Sequence, residues 1–489
     1  MKYKTIEAAA RALSRGETTA VSLTENVLTR IHASPYGAYL TVCDETALEM
    51  ARKADSARRE HPDTVHPLCG IPFSLKDNFM TAGIRTTCAS RLLSDFVPPY
   101  DAAVYERLRD RGAVLVGKTD MDAFAMGSSG RYSALGHCVN PLDPMRSAGG
   151  SSTGAAASVA ANEAFFALGS DTGGSARQPA AFCGLVAMKP TYGRVSRYGL
   201  AAFASSMDTV CPITHSVWDN RLVFDAIAGR DPRDMTSVDA DMDKDVPGSE
   251  RGISSLAGLR VGVMHEYGKL CDETVRRCTA RIAEMLADAG AIVTAVPLPP
   301  PETAVDVYLT TAAAEASSNL ARYDGIRYGT PAGGDSFTEM VTDARTMGLG
   351  EEVKRRILAG KFALSSVYNG DYYRRVSGVR AEIGRRFEKI LREVDVILLP
   401  TTGTVAFPTV SRDENPETLY GSDSFTVYAN LTGLPAVQIP SGGDGRLPCG
   451  VMFMGKRFTE HFLYDLAGIV ENLTEPYQKA EWRGVDDGE

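Results

Sequence analysis

GGSSTG at residues 149–154 and GSDTGGS at residues 169–175 are the two stretches of this 489-residue sequence that say most about its fold and chemistry. Glycine adopts backbone conformations that a β-carbon forbids, so each stretch can turn sharply and direct consecutive N–H groups at one position. An acyl-transfer enzyme needs such a site, with a serine oxygen that attacks a carbonyl beside backbone donors that face the developing negative charge. The alternative is two ordinary loops rich in small residues. The alanine-rich, helix-like run at residues 155–161 between the two stretches favours a shared site.

A serine nucleophile requires a base, and the sequence allows two interpretations. Residues 150–154 match the G-x-S-x-G pattern of α/β-hydrolases, which would make Ser152 the nucleophile. In hydrolases that pattern follows a buried strand, whereas NPLDPMR at residues 140–146 is typical of a turn, and none of the seven histidines has a recognisable catalytic context. Lys76 stands instead in the apolar, strand-like run at residues 68–79. Burial there would lower its pKa and leave a neutral amine able to accept a proton, although a lysine at a strand end can also reach solvent.

Lys76, Ser151 and Ser175 stand among motifs that resemble the amidase signature family, together with RQPAAFCG at residues 177–184 and KPTYGRVS at residues 189–196. The resemblance extends from about residue 5 to residue 475 and has the lysine and both serines at the family's spacing. It implies that Ser175 is the nucleophile and Lys76 the base. It also implies that Ser151 follows a cis peptide bond and relays the proton between them.

The second glycine-rich stretch supplies a candidate oxyanion hole. Its donors would be the consecutive backbone amides of Thr172, Gly173, Gly174 and Ser175, and in sites of this kind the loss of one donor costs roughly 10²–10³-fold in rate. Asp171 directly precedes these residues. It either orients the loop or caps the turn without a chemical role, and the sequence does not choose between the two.

Three further runs resemble one branch of this family, the glutaminase components of the amidotransferases that act on glutamyl-tRNA(Gln) and aspartyl-tRNA(Asn). They are FAMGSS at residues 124–129, AEASSNLARYDG at residues 314–325 and GEEVKRRI at residues 350–357. The resemblance implies that Arg356 and Asp423 hold the carboxylate and the ammonium group of free glutamine, with Tyr308 close by. An opposed pair suits a zwitterion, because an unpaired buried charge is costly. From the residues alone, the favoured interpretation of Arg356 is a position on a solvated basic helix face.

The implied function is that of a glutaminase subunit in a heterotrimer. Subunits B and C would be its partners, and one of them would use the ammonia, with ATP and Mg²⁺, to amidate Glu-tRNA(Gln) or Asp-tRNA(Asn). This chain itself would need no metal or cofactor. The alternatives are a stand-alone amidase acting on another carboxamide and a non-catalytic scaffold subunit. Asp120 and Ala123 depart from the branch pattern without removing a predicted catalytic atom.

Alternating helix-like and strand-like segments predict an α/β fold, with a central mixed β-sheet covered on both faces by helices. Strands are expected at residues 112–117, 259–264 and 394–400, and helices at residues 8–13, 22–31, 272–289 and 372–393. We expect a single amidase domain over residues 1–489. It would contain N-terminal helices at about residues 5–32, a catalytic core at about 60–475 and a surface loop at about 231–258.

Net charge and cysteine content indicate which partners and which cellular compartment to expect. The net charge of −9 and the isoelectric point near 5.5 suit RNA poorly, so aminoacyl-tRNA should be bound mainly by a partner subunit. Nine cysteines without a C-x-x-C pair indicate reduced thiols. No apolar run approaches the length of a membrane span, and the N-terminus lacks a signal-peptide core. The sequence therefore predicts a cytoplasmic protein without membrane contact.

Overall fold

The computed structural model describes residues 2–239, 252–264, 267, 270–365, 371–409, 421–445 and 447–481. The middle of the expected surface loop at 231–258, residues 240–251, lies outside the described residues.

Helices of six or more residues occur fourteen times in the described part of the chain. In chain order, α1 to α14 are Ile6–Ser14, Ala20–Ala33, Asp44–Glu60, Ala103–Asp110, Thr153–Ala160, Arg177–Phe182, Val217–Ile227, Glu273–Asp288, Pro301–Asn319, Phe337–Gly348, Glu351–Ala363, Asp371–Glu393, Val427–Thr432 and Glu460–Glu481. Several begin at a residue whose side chain accepts a hydrogen bond from the first turn, as Thr5, Thr19 and Asp272 do for α1, α2 and α8.

Eleven strands form one mixed sheet in the described residues. In chain order, β1 to β11 are Tyr39–Val42, Pro72–Lys76, Val114–Thr119, Phe166–Asp171, Val186–Lys189, Thr209–Thr214, Arg260–Met264, Ile292–Val296, Val396–Pro400, Ala436–Asp444 and Leu447–Met454. Their spatial order is β1-β3-β2-β4-β6-β5-β10-β11-β9-β7-β8. The pairs β2–β3, β2–β4, β7–β8 and β7–β9 are parallel, whereas the neighbours from β4 through β6, β5, β10 and β11 to β9 pair antiparallel.

Helices cover both faces of this sheet. Side chains alternate along a strand, so in β9 Val396 and Leu398 join the core beneath α1, α2 and α7, while Ile397 and Leu399 join the core beneath α9, α11 and α12. The alanine-rich α5 packs in a third cluster against β4, β5 and β6. The expected fold class, a mixed sheet covered on both faces, is confirmed.

The expected helices and strands all appear, with small shifts at their ends. The strand expected at residues 112–117 is β3, which begins at Val114 because Gly112 adopts a φ of +76° in the turn after α4. The fully buried strand β2 lies between β3 and β4, and all three run in the same direction. Their carboxyl ends therefore meet at one edge of the sheet, where Lys76 ends β2 and Asp171 ends β4.

Candidate active site

Lys76 lies at the carboxyl end of β2 and is fully buried. Its Nζ is 2.7 Å from Ser151 Oγ and donates to Ser170 Oγ at 3.0 Å and to the Ser170 carbonyl oxygen at 3.4 Å. The ammonium end of Lys76 therefore does not reach solvent, although the sequence alone had left that possibility open.

Burial lowers the pKa of Lys76 to about 7, although the carboxylates of Asp122, Asp171 and Asp208 act in the opposite direction. Near neutral pH a large fraction of this amine is therefore uncharged. A neutral amine has two N–H groups and one lone pair. The two oxygens of Ser170 can accept the N–H groups, which leaves the lone pair to accept the Ser151 hydroxyl proton. The site is thus able to hold Lys76 as a base.

Ser151 follows the cis peptide bond between Gly150 and Ser151, which the family resemblance implied. Residue 150 has to be glycine here, because a β-carbon would lie 2.1 Å from Asp122 Oδ2. That carboxylate accepts backbone N–H groups of the loop at residues 129–132, including the Gly130 amide at 3.0 Å. Burial raises the pKa of Asp122 to about 6. Sequence reasoning missed this residue, which shapes the space around the cis bond.

Ser175 precedes α6 and lies beside the relay. The backbone amide of Ser152 donates to the Ser175 carbonyl oxygen at 3.0 Å, which holds the two glycine-rich stretches together. Ser175 is 6% exposed, and its hydroxyl makes no hydrogen bond to any described residue. The structure thus joins Lys76 to Ser151 directly, but it does not join the Ser151 and Ser175 hydroxyls by a hydrogen bond. In contrast, Ser152 is fully buried and its Oγ donates to the Ser170 carbonyl at 3.2 Å, with no strand before it as the hydrolase pattern would require.

The candidate oxyanion loop needs one correction. The Gly174 amide donates to Asp171 Oδ1 at 2.9 Å, because the Asp171 side chain turns back over its own loop. The amides of Thr172, Gly173 and Ser175 have no partner within the described residues, and they remain the predicted donors. Gly174 has a φ of +134°, so its role is to let the loop turn.

Asp171 is held by Arg177, six residues further along the chain. The guanidinium donates from Nε to Oδ2 at 2.9 Å and from Nη2 to Oδ1 at 2.8 Å, and both side chains are fully buried. Asn430 Nδ2 also donates to Oδ1 at 3.0 Å. Burial alone would raise the pKa of Asp171, but the Arg177 charge and these hydrogen bonds lower it to about 2. Of the two roles that the sequence left open, this geometry favours orientation of the loop.

The residues expected to recognise a zwitterion are also buried. Asp423 is 6% exposed; its Oδ2 accepts from Ser128 Oγ at 2.5 Å, and its Oδ1 is buried without a hydrogen-bond partner in the described chain. Burial raises the pKa of Asp423 to about 7, against the hydrogen bond from Ser128 and the positive charge of Arg356. Arg356 is buried on the inner face of α11 and donates from Nε to Glu352 Oε1 at 2.7 Å. It therefore does not belong to a solvated helix face.

Tyr308 connects this second group to the loop of Ser175. A β-carbon on Gly173 would lie 2.4 Å from Tyr308 Cζ, so the phenol ring lies directly against the Gly173 backbone. The hydroxyl of Thr426 lies within donating distance of the Gly173 carbonyl oxygen, at 2.6 Å, and of the Asp423 carbonyl oxygen, at 3.1 Å. Tyr308 and Asp423 thus adjoin the same glycine-rich loop.

Three general features complete the description. All nine cysteines are free thiols. Among the described residues, no cluster of His, Cys, Asp and Glu side chains is arranged to hold a metal ion. In the same part of the chain, no helix has the length and apolar character needed to cross a membrane.

Comparison with known proteins gives consistent matches over most of the chain or nearly all of it. The Amidase family model matches residues 22–464. The A subunit of the glutamyl-tRNA(Gln) amidotransferase from Moorella thermoacetica is 46% identical over 487 residues, which cover 99% of each chain. The corresponding protein of Chloroflexus aurantiacus is 45% identical over 97% of each chain.

Two solved structures are also similar to this chain over nearly its whole length. The A subunit of the glutamyl-tRNA(Gln) amidotransferase from Thermotoga maritima is 35% identical with a TM-score of 0.80, covering 99% of this chain and 98% of the other. The peptide amidase of Stenotrophomonas maltophilia is 28% identical with a TM-score of 0.82, covering 99% of both. From the matching family model, these relatives and the shared fold, we conclude that the chain belongs to the Amidase family.

Proposed function

We propose that this chain is the glutaminase subunit of a tRNA-dependent amidotransferase and that it releases ammonia from glutamine by a Ser-cisSer-Lys mechanism. The observation that carries the proposal is the 2.7 Å contact between Ser151 and a fully buried Lys76, whose pKa is lowered to about 7, next to the loop of Ser175. The similarity to relatives named as glutamyl-tRNA(Gln) amidotransferase components supports glutamine as the amide donor.

The reaction starts with proton transfer. Neutral Lys76 takes the hydroxyl proton of Ser151 while Ser151 takes that of Ser175, and Ser175 Oγ attacks the side-chain carbonyl carbon of glutamine. The oxyanion accepts hydrogen bonds from the free amides of Thr172, Gly173 and Ser175. Hydrogen bonds within catalytic relays are often long before substrate binds, so glutamine is expected to bring the two serine hydroxyls together.

Collapse of this intermediate breaks the C–N bond. The proton held on Lys76 returns through Ser151 to the leaving nitrogen, which departs as ammonia, and a glutamyl ester remains on Ser175. A water molecule then attacks the ester, giving up its proton along the same relay, and glutamate leaves as Ser175 regains its proton.

Recognition of free glutamine is assigned to the second group of residues. The Asp423 carboxylate, with its unpartnered Oδ1, would accept hydrogen bonds from the α-ammonium group, and Arg356 would bind the α-carboxylate. Tyr308, which lies on the Gly173 backbone, would line the path of the substrate side chain to the loop.

The ammonia would pass to a partner in a cytoplasmic heterotrimer with subunits B and C. In this proposal one partner uses ATP and Mg²⁺ and holds most of the aminoacyl-tRNA, either Glu-tRNA(Gln) or Asp-tRNA(Asn), and this chain needs no cofactor. The acidic net charge of −9 supports the assignment of tRNA binding to a partner.

The test measures hydrolysis by the full-length chain purified with the subunits that accompany it. Ser175→Ala should abolish both turnover and the covalent glutamyl-enzyme seen by intact mass, and Lys76→Ala should lower the rate by at least roughly 10²–10⁴-fold. Ser158→Ala is the matched control, because this buried serine bonds Ser74 Oγ at 2.9 Å and lies outside the relay.

The outcomes separate the alternatives. Full activity of Lys76→Ala would overturn the mechanism. A wild-type protein that hydrolyses simple carboxamides quickly but not glutamine would be a stand-alone amidase. A wild-type protein inert towards both, alone and with its partners, would be a scaffold.

A further inference from the structure

Gln178 is a buried side chain that belongs neither to the proton relay of Lys76, Ser151 and Ser175 nor to the residues proposed to bind the α-groups of glutamine. It is fully buried in α6, three residues after Ser175, and its backbone amide donates to the Gly174 carbonyl at 2.8 Å. Its carboxamide extends away from the helix and contacts three separate segments of the chain.

The two ends of this carboxamide have opposite partners. Oε1 accepts the backbone N–H of Gly150 at 2.9 Å, immediately before the cis bond to Ser151. Nε2 donates to the Ser128 carbonyl at 2.8 Å and to Ser422 Oγ at 3.3 Å. Only this orientation satisfies both ends, because the Gly150 N–H needs an acceptor and the Ser128 carbonyl needs a donor.

These contacts link Gln178 both to the proton relay and to the residues proposed to bind the α-ammonium group. Gly150 sets the position of Ser151, whose hydroxyl contacts Lys76. Ser128 donates from Oγ to Asp423 Oδ2 at 2.5 Å, and Ser422 directly precedes Asp423. A single side chain therefore spans the distance between the proton relay and the carboxylate proposed to bind the α-ammonium group.

We propose that Gln178 is a positioning residue that couples recognition of the glutamine α-ammonium group to the geometry of the Ser151 relay. The inference rests on the proposed function, and Gln178 acts through Ser128, Asp423 and Gly150 without touching the substrate. A buried polar group that loses its partner costs more than the bond itself contributes, so losing one end of the carboxamide, or both ends, should have a measurable effect.

Gln178→Glu keeps an oxygen for the Gly150 N–H, and its ionised form directs a second oxygen at the Ser128 carbonyl, so the variant is compared with the wild type at a pH above the raised pKa of this buried carboxyl group. We expect KM for glutamine to rise roughly tenfold or more, as for a lost buried hydrogen bond, while turnover of butyramide, which lacks the α-groups, changes little. Gln178→Met removes both ends and should also lower kcat for both substrates. In an Asp423→Asn background, Gln178→Glu should add far less than tenfold, because the two changes act on one linked set of contacts.

Asn220→Asp is the matched control. Asn220 is a fully buried amide whose Nδ2 donates to the carbonyls of Val186 and Pro212 and to Thr214 Oγ1, away from the site. It should lower thermal stability without changing the ratio of KM values for the two substrates. Binding of glutamine by calorimetry in the Ser175→Ala background gives a second measurement that does not depend on turnover.

The result that overturns the inference is a Gln178→Glu protein with wild-type KM and wild-type glutamine affinity, or one whose two substrates are affected alike, as in the control. Failure of the proposed function looks different. In that case the Ser175→Ala protein with an intact Gln178 does not bind glutamine at all.

Discussion

Asp171 and Arg177 form a fully buried bidentate ion pair across the loop that carries Ser175, with Oδ1 to Nη2 at 2.8 Å and Oδ2 to Nε at 2.9 Å. The pair ties the end of β4 to the start of α6. Between them lie Thr172, Gly173 and Ser175, the predicted oxyanion donors, and Ser175 is also the predicted nucleophile, so the backbone of this loop is fixed at both ends. Such preorganised donors need no rearrangement as charge develops on the substrate.

Arg177→Met should reveal how much of the fold depends on this pair. The substitution leaves a buried carboxylate without its counter-charge, so the free energy of unfolding at pH 7 should fall by about 3–5 kcal/mol. The pKa of Asp171 would rise from about 2 to above its ordinary value, because burial then dominates. Protonation of Asp171 removes this uncompensated buried charge. The loss of unfolding free energy relative to the wild type should therefore shrink as the pH falls from 7 to 4. Urea unfolding at several pH values measures this.

The control is Arg276→Met, since Arg276 pairs with Glu273 on the exposed face of α8. Its loss should cost no more than about 1 kcal/mol at any of these pH values. Equal deficits in the two variants would mean that the buried pair has no special role.

The pH dependence of catalysis should report Lys76. Its pKa is lowered to about 7 and the base must be neutral, so kcat/KM for butyramide should rise with pH through about 7 and then level off. Ser170→Ala removes one acceptor from the Lys76 ammonium group, which should lower its pKa further and move the rising limb to lower pH. Ser158→Ala should leave the limb in place. A pH profile of Ser170→Ala identical to the wild type would exclude this role of Ser170.

The sequence predicts the residues that lie inside local motifs and misses those that only the tertiary structure brings there. Lys76, Ser151 and Ser175 are identified by short runs of glycine, serine and apolar residues around them. Asn430 donates to Asp171 from 259 residues away, and nothing in residues 427–432 marks it. Asp122 is not marked by any motif either, since it accepts backbone N–H groups of the loop at residues 129–132. Ser170 lies inside the second glycine-rich stretch, but nothing in that stretch shows that its oxygens accept hydrogen bonds from Lys76.

The oxyanion loop shows a subtler limit of sequence reasoning. The glycine content of the loop predicts four consecutive amides that donate to the oxyanion. In the structure, however, the amide of Gly174 donates to the side chain of Asp171. Which N–H groups remain free depends on the rotamer of one carboxylate, and that rotamer is set by Arg177. By contrast, the mixed sheet follows from the alternation of elements, because buried strands between amphipathic helices leave few other arrangements.

Recognition of the α-groups should have its own pH dependence. Asp423 must be ionised to bind an ammonium group, and burial raises its pKa to about 7. KM for glutamine should therefore rise as the pH falls through about 7, whereas KM for butyramide should not. Asp423→Asn should raise KM for glutamine at least roughly tenfold and remove this extra pH dependence. Arg356→Ala should also raise KM for glutamine, but the pH dependence of KM should remain because Asp423 is still present. Equal losses on both substrates would indicate residues that only shape the fold.

Dependence on partner subunits is the sharpest test of the whole assignment. A glutaminase that releases ammonia without an acceptor wastes glutamine, and linkage allows an occupied partner site to favour the active form by roughly 1–3 kcal/mol, or about 5–150-fold. The isolated chain should then be a weak glutaminase, and added partner subunits with aminoacyl-tRNA and ATP should raise its rate within that range. Nitrogen from amide-labelled glutamine should appear in Gln-tRNA or Asn-tRNA, and Ser175→Ala should abolish the transfer from glutamine but not from added ammonium. If the isolated chain is fully active and its ammonia never reaches tRNA, the chain is a stand-alone amidase.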